Sequence, residues 1–281
     1  MIKINGKIIE LKRFPDGTLN LSDVLKEFFD CRLVDITWLY DSDEELVPLH
    51  FISKFFNENY SQLNLFMPYV PNARQDRIQN KWDVFTLKYF ADMINDMQFH
   101  KIEVLDPHSK ECKKMIKRLE EKECSVFGCV NEYERILSKA LLDIKDDNLI
   151  VFFPDKGAVN KYGELFEKVY PSYDICYGSK IREWENGEIT GLEIITNGND
   201  LKGRNVLIID DICSYGTTIY ESAKKLKEFG IKDIYVFVTH CENSIHEGKL
   251  LDCSLIKKIY TTDTILTKMH RKINILTNYR K

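Results

Sequence analysis

One stretch constrains the fold more than any other: NVLIIDD, ICSYG, TTIYESAKKLKEFG and IKDIYVFVTH in succession, residues 205–240. An apolar run ends in two acids, a short polar turn follows, and an amphipathic segment leads into a second apolar run. Apolar runs bounded by turn residues read as buried strands, and a 3.6-residue apolar period between them reads as helix. Parallel neighbours need a crossover of about this length, so the order predicts a βαβ unit. Gly230 stands where a helix closes on left-handed backbone.

The same alternation fills the rest of the chain. Strands are expected at 33–40, 62–70, 101–107, 148–155, 205–211 and 233–240. Helical patterns lie between them, in EELVPLHFISKFFN, DVFTLKYFADMINDM, YERILSKALLDIK and VNKYGELFEKVY. The pattern runs twice, over 1–140 and 141–281, with no Gly/Ser/Pro-rich linker between the halves. The expected class is therefore α/β, each half a mostly parallel sheet flanked by helices. The segment GSKIREWENGEITG (178–191) differs from its surroundings, being polar, glycine-marked and aperiodic. It reads as an exposed, mobile loop or hairpin beside the carboxyl edge of a sheet, the edge at which open parallel sheets bind ligands.

Composition narrows the partners. Of 281 residues 44% are apolar and 30% charged, a soluble globular balance. Forty Lys and Arg against forty-four Asp and Glu give a net charge of −4, without the basic surplus of a nucleic-acid binder. No apolar run approaches the roughly 20 residues that span a bilayer, and the first residues lack the apolar core of a secretory signal. The eight cysteines, at 31, 112, 124, 129, 176, 213, 241 and 253, show no metal-type spacing. They read as reduced thiols of a cytoplasmic protein.

Several strand ends carry chemistry. In 205–218, the acid pair Asp210 and Asp211 precedes a turn and a helix start. Backbone N–H groups there suit a phosphate, and the carboxylates suit sugar hydroxyls or a hydrated Mg2+. The alternative is an ordinary strand end with Thr217 or Ser214 capping the helix. In MPYVPNARQDR (67–77), Pro68 and Pro71 end the strand, and Arg74, Gln75, Asp76 and Arg77 crowd its end. Paired guanidiniums neutralise phosphates, though a solvated turn with an Arg–Asp pair fits equally well. VLDPHS places Asp106 and His108 past another strand. FFPDKGAV places Asp155, Lys156 and Gly157 in a tight turn, where glycine lets amides approach a diphosphate. Lys180 and Arg182 are cations in the polar segment, positioned to offset charge in phosphoryl transfer.

These segments, in this order, resemble the ribose-phosphate pyrophosphokinase (PRPP synthetase) family over most of the chain. RFPDG (13–17) looks like its N-terminal ATP loop and PYVPNARQDR (68–77) its second ATP segment. LDPHS (105–109) is similar to its metal-binding histidine motif, and FPDKGA (153–158) to its diphosphate loop. SKIRE (179–183) is similar to its catalytic flexible loop. VLIIDDICSYGTT (206–218) resembles its PRPP-binding motif, shared with all type I phosphoribosyltransferases. The resemblance implies two type I phosphoribosyltransferase-like halves and a homo-oligomer, dimer or hexamer, in which Phe14 and Asp16 reach a neighbour's ATP.

It further implies ATP as co-substrate with Mg2+, and a diphosphoryl transfer that releases AMP. Arg74, Gln75, Asp76 and His108 would hold the nucleotide, and His108 and Asp155 would place Mg2+. Lys180 and Arg182 would be catalytic, and Asp155, Lys156 and Gly157 would form the diphosphate loop. Asp210, Asp211, Ser214, Tyr215, Gly216, Thr217 and Thr218 would hold the acceptor. The chain departs from the family's acceptor loop, Asp-Thr-Gly/Ala-Gly-Thr, by reading Ser-Tyr-Gly-Thr-Thr at 214–218. Thr18 replaces the usual Glu of the N-terminal loop, and IQNKWDVF (78–85) lacks the Arg/Ser-rich regulatory flag. The altered loop leaves two acceptors open, ribose 5-phosphate and ADP-ribose, the second with its adenine on Tyr215. A phosphoribosyltransferase or a non-catalytic regulatory relative is the alternative. The first lacks ARQDR and the Lys-x-Arg segment, and the second would be expected to lose residues that are present here.

Overall fold

A computed structural model describes residues 1–59, 61–122, 131–182 and 189–281, without the side chains of 180–182, 189 and 190. Cys124 and Cys129 lie outside the described residues; the other six cysteines are free thiols. The chain forms two compact units, Met1–Tyr133 and Glu134–Tyr279, Arg280 grouping with the first and Lys281 with the second. Among the described residues no helix is long and apolar enough to cross a membrane.

The first unit opens with β1 (Ile2–Ile4) and β2 (Lys7–Ile8), then a small hairpin of β3 (Lys12–Arg13) and β4 (Leu19–Asn20), and α1 (Ser22–Lys26). There follow β5 (Leu33–Trp38), α2 (Leu46–Glu58), β6 (Gln62–Phe66), α3 (Thr86–Asp96), β7 (Lys101–Val104), α4 (Lys110–Met115) and β8 (Leu119–Glu121). The sheet order is β2-β1-β5-β6-β7-β8. Strands β5 to β8 are parallel, and β1 and β2 close the edge antiparallel. β5 alternates as the period-2 rule requires, burying Val34, Ile36 and Trp38. These meet Leu49, Ile52 and Phe56 of α2 and Leu87, Phe90 and Ile94 of α3 in one core.

The second unit holds α5 (Glu132–Ile144, entering from the boundary), β9 (Ile150–Phe153), α6 (Lys156–Val169), β10 (Asp174–Arg182) and β11 (Ile189–Ile195). It continues with β12 (Val206–Cys213), α7 (Thr217–Glu228), β13 (Ile234–Cys241), β14 (Ile256–Thr261) and β15 (Ile273–Ile275). Its sheet runs β11-β10-β9-β12-β13-β14-β15, parallel except for the β10/β11 edge. All four residues of β9 and all eight of β13 are buried, because helices cover a parallel sheet on both faces. The α/β class and the largely parallel sheets are therefore as the alternating pattern predicts.

Two local expectations need revision, and a third takes its hairpin form. In the polar segment 178–191, whose residues 183–188 lie outside the described residues, β10 runs antiparallel to β11 past the end of β9: Tyr177 pairs Phe153, while Gly178 to Arg182 pair only with β11. Gly178 is required there, since a Cβ would lie 2.6 Å from the Pro154 carbonyl oxygen. The turn expected over 155–157 is instead the first turn of α6, because Asp155 caps the helix directly after Pro154. The strand expected to stop at its two acids runs two residues further, to Cys213.

Candidate functional site

In the second unit, β12 outruns one neighbour. Its pairing with β9 ends at Ile208 opposite Phe152, whereas its pairing with β13 continues to Cys213 opposite Cys241. Asp210 and Asp211 therefore stand beyond the end of β9, at the carboxyl mouth of the sheet. Asp210 Oδ1 accepts a hydrogen bond from the Asp211 amide at 2.9 Å. Burial, then the charges of Asp211 and Asp155, push the Asp210 carboxyl well above its ordinary value. Asp211, 7% exposed, meets a cation from another element: Lys161 Nζ of α6 lies 3.1 Å from its Oδ2.

The turn after β12 is preformed. Gly216 has φ +74, and a Cβ on it would lie 2.7 Å from Leu250 Cδ2. Gly248 lets its backbone press against the Tyr215 carbonyl, where any side chain would collide. Held by its backbone, Tyr215 is 52% exposed. The N-cap of α7 is Gly216, which has no side chain to cap the helix. A twelve-residue helix thus starts beside the acid pair on a glycine cap, and a helix start of this kind suits a phosphate. Asp155, by contrast, is engaged: its Oδ1 accepts from the Ala158 amide at 3.1 Å. Lys156 and Gly157 are exposed on the first turn of α6.

In the first unit, the segments after β6 and β7 are stitched together by the Leu105 amide donating to the Pro68 carbonyl at 3.0 Å. Residues 68–77 and 105–109 thereby share one edge. Arg74 and Gln75 are exposed, and Thr86 Oγ1 at the start of α3 donates to Gln75 Oε1 at 2.7 Å. Asp76 is buried and paired with Arg77 Nε at 3.2 Å, the Arg–Asp pair of the structural alternative. His108 is half-buried, and the neighbouring Ser109 hydroxyl is buried without a hydrogen-bond partner. On the β3/β4 hairpin Phe14 is 50% exposed. Asp16 accepts from the Thr18 amide and hydroxyl at 3.0 and 2.7 Å, which lowers its carboxyl pKa.

The Lys180 and Arg182 side chains lie outside the described residues; their backbone belongs to β10. Among the described residues no group of three or more His, Cys, Asp and Glu forms a metal cage. Mg2+ is a hard cation that keeps water and substrate phosphates and takes one or two protein oxygens. A carboxylate such as Asp155 matches that demand, whereas an imidazole such as His108 suits it only through a bound water.

Two contributors escaped the reading of motifs. Lys161 sits four residues after Gly157, on the same helix face, which is the only local sign of its reach. Gly248 lies outside every motif.

A sheet of this order with an acid pair, a glycine turn and a glycine-capped helix start defines a phosphoribosyltransferase-type unit. The phosphoribosyl transferase domain model matches residues 128–265. Ribose-phosphate pyrophosphokinases from Thermococcus kodakarensis and Pyrococcus furiosus are each 28% identical, over 94% and 95% of this chain and 88% and 89% of theirs. A phosphoribosylpyrophosphate synthetase structure from Mycobacterium smegmatis superposes with a TM-score of 0.66 at 17% identity, covering 83% of this chain and 72% of the other. It shares the fold. The chain is thus similar to ribose-phosphate pyrophosphokinases along nearly its whole length, and its second unit to the phosphoribosyl transferase domain.

Proposed function

We propose that this chain is an ATP-dependent diphosphotransferase acting on the anomeric hydroxyl of a 5-phosphorylated ribose. The anomeric oxygen bonds to the β-phosphorus, the bond from that phosphorus to the α-phosphate oxygen breaks, and AMP leaves with that oxygen. The hydroxyl proton is lost to solvent. The observation that supports this most is the acid pair beyond the end of β9, abutting a helix that starts on a glycine cap.

Asp210 and Asp211 take the 2- and 3-hydroxyls, and Ser214, Gly216, Thr217 and Thr218 with the first-turn amides of α7 take the 5-phosphate. Arg74, Gln75 and His108 hold the nucleotide, Asp76 bracing that segment through Arg77. Phe14 and Asp16 contact ATP of a neighbouring copy in a homo-oligomer. Asp155, Lys156 and Gly157 face the diphosphate. Asp155 and His108 are the residues that would hold Mg2+, which would supply charge neutralisation for the triphosphate. Lys180 and Arg182 offset the charge on the transferring group, the main demand of phosphoryl transfer.

Ribose 5-phosphate is the simplest acceptor. The exposed Tyr215 beside the loop favours a second, ADP-ribose, whose adenine stacks on its ring. Incubating protein, ATP and Mg2+ with each sugar and resolving AMP by chromatography decides between them. A Tyr215→Thr change shifts the activity ratio toward ribose 5-phosphate if the adenine stacks there, and leaves it unchanged otherwise. Lys180→Ala or Arg182→Ala lowers kcat by about two orders of magnitude or more with little change in ATP binding. Protein that never releases AMP with either sugar ends the proposal.

A further inference from the structure

We propose that Lys161 is a positioning residue for the acceptor site, holding Asp211 as an aimed carboxylate against the sugar hydroxyls. The inference rests on the pyrophosphokinase reading above and adds to it a residue outside the motifs. Three carboxylates, Asp155, Asp210 and Asp211, crowd this end of the sheet, and burial together with the charges of Asp211 and Asp155 raises the cost of ionising Asp210. Like charges gathered in a partly buried place need a compensating cation. Lys161 Nζ supplies one at 3.1 Å from Asp211 Oδ2, with the lysine 23% and the aspartate 9% exposed at their side chains.

The lysine is itself held. Its ammonium lies 5.2 Å from the ring centroid of Tyr162, and that ring stacks on Phe153, the last residue of β9, at 6.2 Å and 21°. Tyr162 is 3% exposed and Phe153 fully buried. A contact chain thus runs from the end of β9 through α6 to the second acid of β12. Rigid support of this kind is what keeps a ligating carboxylate in one orientation. An Asp211 without that anchor would be free to rotate and would bind hydroxyls less well, whereas the nucleotide segments 68–77 and 105–109 belong to the other unit.

Steady-state AMP release by the full chain, with acceptor and MgATP varied in turn, tests this in wild type, Lys161→Met and Lys161→Arg. Methionine keeps the stem and removes the charge; arginine keeps the charge and its hydrogen bonds. The expected result for Lys161→Met is an acceptor KM raised about tenfold or more, with kcat and the KM for ATP within twofold. Lys161→Arg returns the acceptor KM to within about threefold of wild type. A thermal midpoint beside each value separates this from loss of fold. An acceptor KM within twofold in Lys161→Met overturns the role, as does a kcat defect at unchanged KM or a failure of arginine to rescue. Wild type that releases no AMP removes the pyrophosphokinase reading itself; active wild type with an indifferent Lys161→Met removes only this inference.

Discussion

Asp210 occupies a place that suits a ligand better than it suits the fold. Burial and the neighbouring carboxylates push its pKa well above the ordinary 3.8, so the unfolded chain ionises it first. Above pH 3.8 the folded state therefore carries a penalty that the unfolded state does not; below it both states are protonated and the penalty is gone. Asp210→Asn should accordingly raise the melting temperature at pH 7 in metal-free buffer, by about 2–4 °C for each kcal/mol relieved. The gain should shrink toward zero as pH falls below 3.8, while acceptor-dependent AMP release drops. A gain of equal size at pH 3.5 and pH 7 would assign it to something other than ionisation. Gly248 is the opposite kind of residue, needed for contact rather than charge. Gly248→Ala must move the Tyr215 carbonyl. Overpacking of this sort costs about 1–3 kcal/mol in unfolding free energy. Acceptor binding, read by calorimetry, should weaken as well.

At the scale of elements, α7 shows stability and binding pulling apart. Its N-cap is a glycine, and Thr217 is exposed in its first turn. A carboxylate at that position stabilises the helix through its dipole by about 0.3–1 kcal/mol. The same carboxylate occupies the ground a phosphate would take. Thr217→Glu should therefore raise the unfolding midpoint slightly and raise the acceptor KM severalfold; a change in the midpoint without a change in KM would take the phosphate away from α7. The contrast with α6 is instructive, since Asp155 satisfies that helix start from within the chain. How much of this was legible depends on the element. β9 and β13 are continuous apolar runs and announce themselves. β10, β11, β14 and β15 do not, because edge and half-buried strands mix polar residues into their runs and take their strand character from pairing with distant neighbours. The acid pair was legible as chemistry. Its placement at the mouth was not, because it depends on the pairing with β9 ending five residues short of the place where β13 lets go.

For the whole molecule, the two units each carry a core and a carboxyl-edge cluster, which divides the expected labour. Hydrogen exchange on the full chain should slow at 68–77 and 105–109 when a non-hydrolysable ATP analogue and Mg2+ are added. With acceptor sugar alone it should slow at 211–220. The reverse pattern would exchange the roles of the units. By itself the sequence determined the alternation of strand and helix, the parallel class and the residue types at each strand end. Those follow from local periodicity, from proline and glycine, and from where apolar runs stop. Only the tertiary structure decided which neighbour ends first, that Lys161 reaches across fifty residues to Asp211, and that Gly248 seats the turn at Tyr215. Contacts between residues far apart in the chain leave no periodic trace in it; they exist only once packing has brought the surfaces together.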